Sequence, residues 1–377
     1  MLILAAILAI FVYGLVAPML GALLPSYHLT GGENGVLGLV QALGLIVASL
    51  IAGPVIDVKG KKIALAVGLA LVAISLYWAP NAGGYGGLLA VFFLLGIGGG
   101  TVVTGANALA GDVNEARRGS VLNFLNLFFG LGGIMTPFIS GVLTADNLCY
   151  AVATLTLVTL LVHLITKMPA PSGQAAFKAS EAVGLLSRPT LLLLSLFLFL
   201  YVSCEVGVWN WLKIYLVSPA VGIDSKSASN VVGFGFAFGI LVGRVVVSRI
   251  LIKVPAITVT FVAAILMAIT TFAMLHMNTS VGVAVLVFCA GLAMAPMFPT
   301  TLAMVGDAFP RGTASAMGIA ITFGWIGLAV SSPIIGKIAG PTNGNLQNAL
   351  LLLPFFSVLM VLVNLALRPK LKKTMAA

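Results

Sequence analysis

Charge is what this sequence has least of. Of 377 residues only 7% are Asp, Glu, Lys or Arg, and just nine are acidic, against about a quarter charged in ordinary soluble domains. That scarcity excludes a soluble domain of any size. The three cysteines, Cys149, Cys204 and Cys289, are an odd set in or beside apolar runs, so they read as small packing residues and not as a disulfide framework. The three histidines, His28, His163 and His276, stand apart, and no metal-ligand spacing appears. No P-loop is present, so ATP binding is not expected. No catalytic set is clustered in sequence either, so the chain does not read as an enzyme. No cofactor is expected beyond a coupling ion. The net charge of +10 is spread over short loops, which excludes a nucleic-acid partner.

What fills the chain is apolar: 60% of residues are hydrophobic and 43 are glycine, a mixture suited to close-packed membrane helices. Hydropathy punctuated by Gly, Pro, Asn and charge predicts twelve spans, at 2–27, 34–55, 62–79, 86–111, 119–143, 147–167, 189–217, 227–250, 254–276, 280–305, 313–340 and 345–367. The fold class is therefore all-α integral membrane. The start lacks a basic n-region and a cleavage pattern, so 1–25 reads as a retained helix. The longest polar break, 168–188, divides the spans six and six. It gives an N-terminal bundle at 1–167, a cytoplasmic linker, and a C-terminal bundle at 189–377 with a short basic tail.

Lys and Arg cluster on one side of this topology. Lys59, Lys61, Lys62, Arg117, Arg118, Lys167, Arg188, Arg311 and Arg368 fall there, while the opposite loops hold only Lys226. Both termini are thus expected in the cytoplasm, in a bacterial inner membrane. A lipid bilayer and a small-molecule substrate are the expected partners of a monomer.

The halves resemble each other at an offset of roughly 195 residues. Gly111-Asp112 with Arg118-Gly119-Ser120 matches Gly306-Asp307 with Arg311-Gly312-Thr313, and Pro137 matches Pro333. Parallel six-helix repeats are the plan of one large transporter class. The loop after the second span reads Gly53-Pro-Val-Ile-Asp57-Val-Lys59-Gly60-Lys61-Lys62. This resembles the signature loop of the major facilitator superfamily, G-x-x-x-D-x-x-G-[RK]-[RK], with Val58 directly after the acid. The resemblance implies two pseudo-symmetric six-helix bundles. Gly53 and Gly60 are expected to permit a tight turn, and Asp57 to face a helix N-terminus as a latch. Lys61 and Lys62 complete the gating set. Gly243-Arg244 is its weakened counterpart after the eighth span.

The seventh span carries the one intramembrane carboxylate of note. Glu205 lies some 20–24 Å along from Pro189, within a hydrocarbon core about 30 Å thick. An ionisable group at that depth costs at least a few kcal/mol, so function is the default expectation; a structural carboxylate bonded to a neighbouring helix is the alternative. Trp209 and Lys213 follow at helical spacing, so all three share a face. Trp211 and Tyr215 fit belt aromatics and Lys213 fits snorkelling.

Tyr201-Val202, Glu205, Trp209, Tyr215 and Gly243-Arg244, with Ala295-Pro-Met-Phe298-Pro299-Thr300 and Asn123-x-x-Asn126…Gly130-x-Gly132, resemble the fucose permease-like branch of the superfamily. That resemblance implies ion-coupled sugar transport. Yet the branch's acids in spans one and four align with Gly21 and Val103 here. Three readings stay open: coupling moved to Glu205, sodium in place of H+, or no coupling.

Tyr13, Gln41, Asn107, Asn123, Asn126, Trp209, Asn210 and Trp325 are the candidate substrate-binding residues. Amides and indoles suit a neutral hexose, offering donors, acceptors and an aromatic face; the Asn residues equally suit helix-to-helix bonding. The competing functions are a proton-coupled exporter of drugs or lipophilic cations on the same fold, and a non-transporting membrane receptor.

Overall fold

The computed structural model describes residues 1–27, 29, 31–168, 179–277, 279–340 and 343–376. Residues 169–178 of the expected linker lie outside them. Twelve helices are long and apolar enough to cross a membrane. They are numbered here as spans 1 to 12: Leu2–Leu24, Val36–Lys59, Lys61–Asn81, Tyr85–Val113, Glu115–Ser140, Ala145–Ile165, Pro189–Val217, Lys226–Ile250, Ala256–His276, Ser280–Ala308, Thr313–Ala339 and Leu346–Leu371. No strand occurs among the described residues. The all-α expectation holds for a simple reason: in lipid, a helix satisfies its own backbone polar groups.

The chain divides into two compact units. The first takes in Met1–Arg188 and Val305–Thr322; the second takes in Pro189–Met304 and Phe323–Ala377. Span 11 thus contributes its first turns to the first unit and its remainder to the second.

Glycine sets the packing inside each unit. In the first, Gly44 of span 2 lies against the Phe93 carbonyl of span 4, and Gly96 of span 4 lies against the Gln41 carbonyl of span 2. In the second, Gly239 of span 8 lies against the Phe288 carbonyl of span 10, and Gly291 lies against the Phe236 carbonyl. Gly44 and Gly96 thus recur 195 residues later as Gly239 and Gly291. A Cβ at any of these glycines would collide with backbone, so only glycine lets the helices approach this closely. The same offset relates Gly132, packed on the Phe11 carbonyl of span 1, to Gly327, packed on the Phe199 carbonyl of span 7. The internal repeat is therefore a repeat of helix contacts as well as of letters.

Span 8 departs from regular α-helix. Asp224 caps its start by accepting from the N–H groups of Lys226 and Ser227, each at 3.0 Å. Hydrogen bonds from Ser227 and Lys226 hold this exposed carboxyl below its usual range. Val231–Ala237 is then wound as a π-helix before α-helix resumes at Phe238. Such segments widen the turn and often mark functional positions.

Candidate functional site

Span 7 opens one face along its second half. Glu205 and Val206 are half-buried, Trp209 and Asn210 are exposed, and Lys213, Ile214 and Val217 continue the row. These positions alternate by three and four, the spacing of a single helical stripe. Glu205, Trp209 and Lys213 therefore share a face, as their spacing predicts. The opposite side is packed: Tyr201, Cys204, Val208, Leu212 and Tyr215 are buried. Tyr215 donates its hydroxyl to the Leu275 carbonyl of span 9 at 2.8 Å, so it is a helix-to-helix tie and not a belt residue.

The stripe has specific supports. The Trp209 ring meets the Phe236 ring edge-on, with centroids 5.2 Å apart at 74°. Phe236 is fully buried in the π-helical part of span 8, so it braces one edge of an indole that stays 42% exposed. Asn210 Nδ2 donates to Ser332 Oγ of span 11 at 2.7 Å, and Trp211 Nε1 donates to the same oxygen at 3.3 Å. Beside Glu205 stand the Tyr201 hydroxyl, the Trp209 indole and, through its charge, the buried Arg244 guanidinium. The Tyr201 hydroxyl reaches Glu205 electrostatically but outside good hydrogen-bond geometry. Arg244, read from the sequence with the gating loops, is thus a neighbour of the carboxylate.

A second polar cluster lies within the first unit. Span 2 remains helical to Lys59, so Asp57 is a helix residue and the turn is Gly60 alone, at φ 92°. That corrects the reading of Gly53 as a turn residue. Gly53 lies mid-helix against the backbone of Ala314 and Ser315, where a side chain would not fit. Asp57 accepts from the N–H groups of Ala314 and Ser315, at 3.2 and 2.7 Å. It therefore satisfies orphan donors at the positive end of span 11. Lys61 pairs with Asp112, while Lys62 stays half-buried. Arg118 is 4% exposed; its Nε donates to the Gly111 carbonyl at 3.1 Å and its Nη1 to Asp307 Oδ1 at 2.7 Å. Among the described residues no group of three His, Cys, Asp or Glu could hold a metal ion.

A family model described as Major Facilitator Superfamily matches residues 2–332 and 216–376. The chain belongs to that superfamily.

Its relatives include Bypass of stop codon protein 6 of Saccharomyces cerevisiae, 23% identical over 89% of this chain and 76% of the relative. Quinolone resistance protein NorA of Staphylococcus aureus is 28% identical, over 34% of this chain and 33% of NorA. Among solved structures, the transporter FucP in its outward conformation aligns with a TM-score of 0.82 at 18% identity, covering 97% of this chain and 98% of FucP. The proton:xylose symporter XylE aligns with a TM-score of 0.76 at 15% identity, covering 96% and 94%. At these identities the structural likeness establishes the fold.

Within this superfamily fold, the amide candidates of the first unit are not on an open face. Asn107 and Asn123 are fully buried and Asn126 is 3% exposed. Asn126 Nδ2 donates to Asn107 Oδ1 and to the Leu122 carbonyl, each at 2.9 Å. Asn107 Nδ2 donates to the Val103 carbonyl at 2.8 Å, and Asn123 Nδ2 to the Gly119 carbonyl at 2.9 Å. Of the two roles open to these residues, spans 4 and 5 use the Asn107–Asn126 pair as a packing bond. Tyr13 is likewise buried, its ring lying on Gly99 and tilted against Phe129 at 6.2 Å. Gln41 is 7% exposed and Trp325 half-buried. The candidates the structure gathers at one accessible place are Glu205, Trp209 and Asn210.

Sequence reasoning missed Phe236, Ser332 and the Arg118–Asp307 pair. The offset of about 195 residues could have flagged Phe236, since it occupies the repeat position of Gln41. Ser332 carried a weaker signal, a hydroxyl immediately before the in-helix Pro333.

Proposed function

We propose that this chain is a secondary transporter that moves a small polar solute of the hexose class by alternating access, with Glu205 taking the coupling ion, H+ or Na+. The observation that carries the proposal is the open stripe of span 7. An apolar 29-residue helix would not retain a carboxylate, an indole face and an amide in one row without a use for them. A hexose offers an apolar C–H surface to the exposed Trp209 ring and hydroxyls to Asn210 and Lys213. FucP and XylE, by their names, carry fucose and xylose with protons. Their fold supports a transporter, and the residues of span 7 support the solute class.

A second reading, export of a lipophilic cation against protons, draws on two observations. Burial of Asn107, Asn123 and Asn126 removes amides from solute contact, and part of the chain resembles a quinolone resistance protein. A carboxylate beside an exposed indole also suits a cation. The hexose reading is preferred because Lys213 stands exposed on the same stripe, where its charge opposes a lipophilic cation at the Trp209 ring while its N–H groups suit hydroxyls. We place the protein as a monomer in a bacterial inner membrane, with both termini cytoplasmic.

The test is uptake into proteoliposomes of radiolabelled glucose, fucose and tetraphenylphosphonium, with a proton gradient, a sodium gradient or neither. Hexose accumulation driven by one gradient supports the proposal. Gradient-driven movement of the phosphonium alone overturns it in favour of export.

A further inference from the structure

Ser332 lies in span 11 where Pro333 interrupts the helix hydrogen bonding. Proline has no N–H, so the Ala329 carbonyl four residues before it loses its helical partner. Ser332 Oγ stands beside this break and accepts from two donors of span 7: Asn210 Nδ2 at 2.7 Å and Trp211 Nε1 at 3.3 Å. Indole N–H is a donor only, so Ser332 Oγ must accept from Trp211. The rim of the Trp211 ring also meets Gly336, where a side chain would crowd it. Trp211, Ser332 and Gly336 therefore form a fixed seat beneath Asn210.

We infer that Ser332 orients the Asn210 amide so that its oxygen faces the solute beside Trp209, and that the group read there is a hydrogen-bond donor, a hydroxyl of the hexose. The solute half of this inference rests on the proposed hexose function; the orientation of the amide does not. With its N–H committed to Ser332, Asn210 presents an acceptor. Ser332 is a positioning residue: it acts through Asn210 and fixes which polar atom that side chain shows. A sugar lacking the matching hydroxyl would leave the Asn210 oxygen unpaired and bind more weakly.

The experiment has two arms on the purified full chain. The first labels asparagine isotopically and follows side-chain amide resonances without ligand, assigning Asn210 by its loss in Asn210→Asp. Protection of that amide from exchange, lost in Ser332→Ala and restored in Ser332→Thr, is the expected result. An unprotected amide in the parent protein overturns the orientation whatever binds. The second arm titrates intrinsic fluorescence with glucose and its monodeoxy analogues. Ser332→Ala is expected to weaken glucose binding about three- to ten-fold and to reduce discrimination against one deoxy analogue, with Ser332→Thr restoring both. Asn210→Asp, which keeps the acceptor, is expected to bind glucose better than Asn210→Ala. Unchanged discrimination in Ser332→Ala, with glucose still bound, overturns the positioning role. A protected amide with no response to any hexose removes the hexose reading and leaves the acceptor orientation standing.

Discussion

Arg118 of span 5 donates to Asp307 of span 10 at 2.7 Å, and the same guanidinium holds the Gly111 carbonyl at 3.1 Å. One side chain thus joins the first Gly-Asp motif, Gly111-Asp112, to its repeat, Gly306-Asp307. Gly306 makes room for it, because a Cβ there would press on the Arg118 side chain. Asp112 does not wait for Arg311, the repeat counterpart of Arg118; Lys61 takes it, and Arg311 stays exposed. The repeat is symmetric in backbone contacts and asymmetric in charge.

Breaking that pair should be costly on one side only. Arg118→Ala leaves Asp307 partly buried beside an unsatisfied Gly111 carbonyl. The expected loss is roughly 1–3 kcal/mol, discounted from a fully buried pair because Asp307 is 35% exposed. Asp307→Asn keeps a hydrogen-bond acceptor for Arg118 and should cost less. Thermal unfolding in detergent checks the ranking; equal melting temperatures for the two variants would deny Arg118 its double role.

Asp57 should govern turnover and not affinity. Its carboxylate caps the start of span 11 within the first unit, bonded to the N–H groups of Ala314 and Ser315. Asp57→Asn retains one acceptor oxygen but loses the charge that favours the helix N-terminus, about 0.3–1 kcal/mol. Transport rate should change while the dissociation constant stays within about two-fold. A large loss of affinity at unchanged turnover would contradict a latch.

Glycine contacts give a prediction with a built-in control. Gly239→Ala and Gly44→Ala each drive a Cβ into a carbonyl of the neighbouring span. Overpacking of this kind costs about 1–3 kcal/mol, so both should lower the unfolding temperature. Gly21→Ala and Gly233→Ala meet nothing within 4 Å and should leave it unchanged. Equal behaviour of the two sets would mean that close approach does not stabilise this fold.

These four glycines also show what could be read from sequence alone. Twelve apolar runs, a repeat of about 195 residues and the Gly53–Lys62 loop carry strong one-dimensional signals, because length, spacing and turn chemistry are local properties. The partner of a polar side chain is not local. Asn107 and Asn126 read as candidate solute ligands until the fold places one against the other in buried contact. Arg244 reads with a loop until the fold turns it toward Glu205. Ser332 has no periodic signature at all, and only the approach of span 7 makes it a double acceptor. Amphipathic spacing identifies a face; it does not say which helix covers it.

Glu205→Gln should separate coupling from binding. The amide is nearly isosteric but takes up no proton at neutral pH and offers a sodium ion a neutral oxygen in place of a charged one. Accumulation against a gradient should be lost, while exchange of solute across the membrane persists. A variant that still concentrates solute at the parent rate would make Glu205 a structural carboxylate, held among Tyr201, Trp209 and Arg244.

The ranking of Trp209 against the asparagines follows from their surroundings. Trp209 is 42% exposed and braced at one edge by Phe236, so its accessible face is available to a pyranose ring. Trp209→Ala should weaken sugar binding by about 1–3 kcal/mol, ten-fold or more, with little effect on unfolding. Phe236→Ala should weaken binding by less, through a Trp209 ring no longer held on its edge, and should also destabilise the unit because Phe236 is fully buried. Asn126→Ala should do the reverse of Trp209→Ala. It removes a donor from the buried Asn107 oxygen, which costs about 1–3 kcal/mol of stability and leaves sugar affinity unchanged. Calorimetric titration with glucose alongside thermal unfolding reads both axes for all three variants. If Asn126→Ala lost affinity at unchanged stability, the buried pair would have to open onto the solute during transport, and the binding surface would extend beyond span 7.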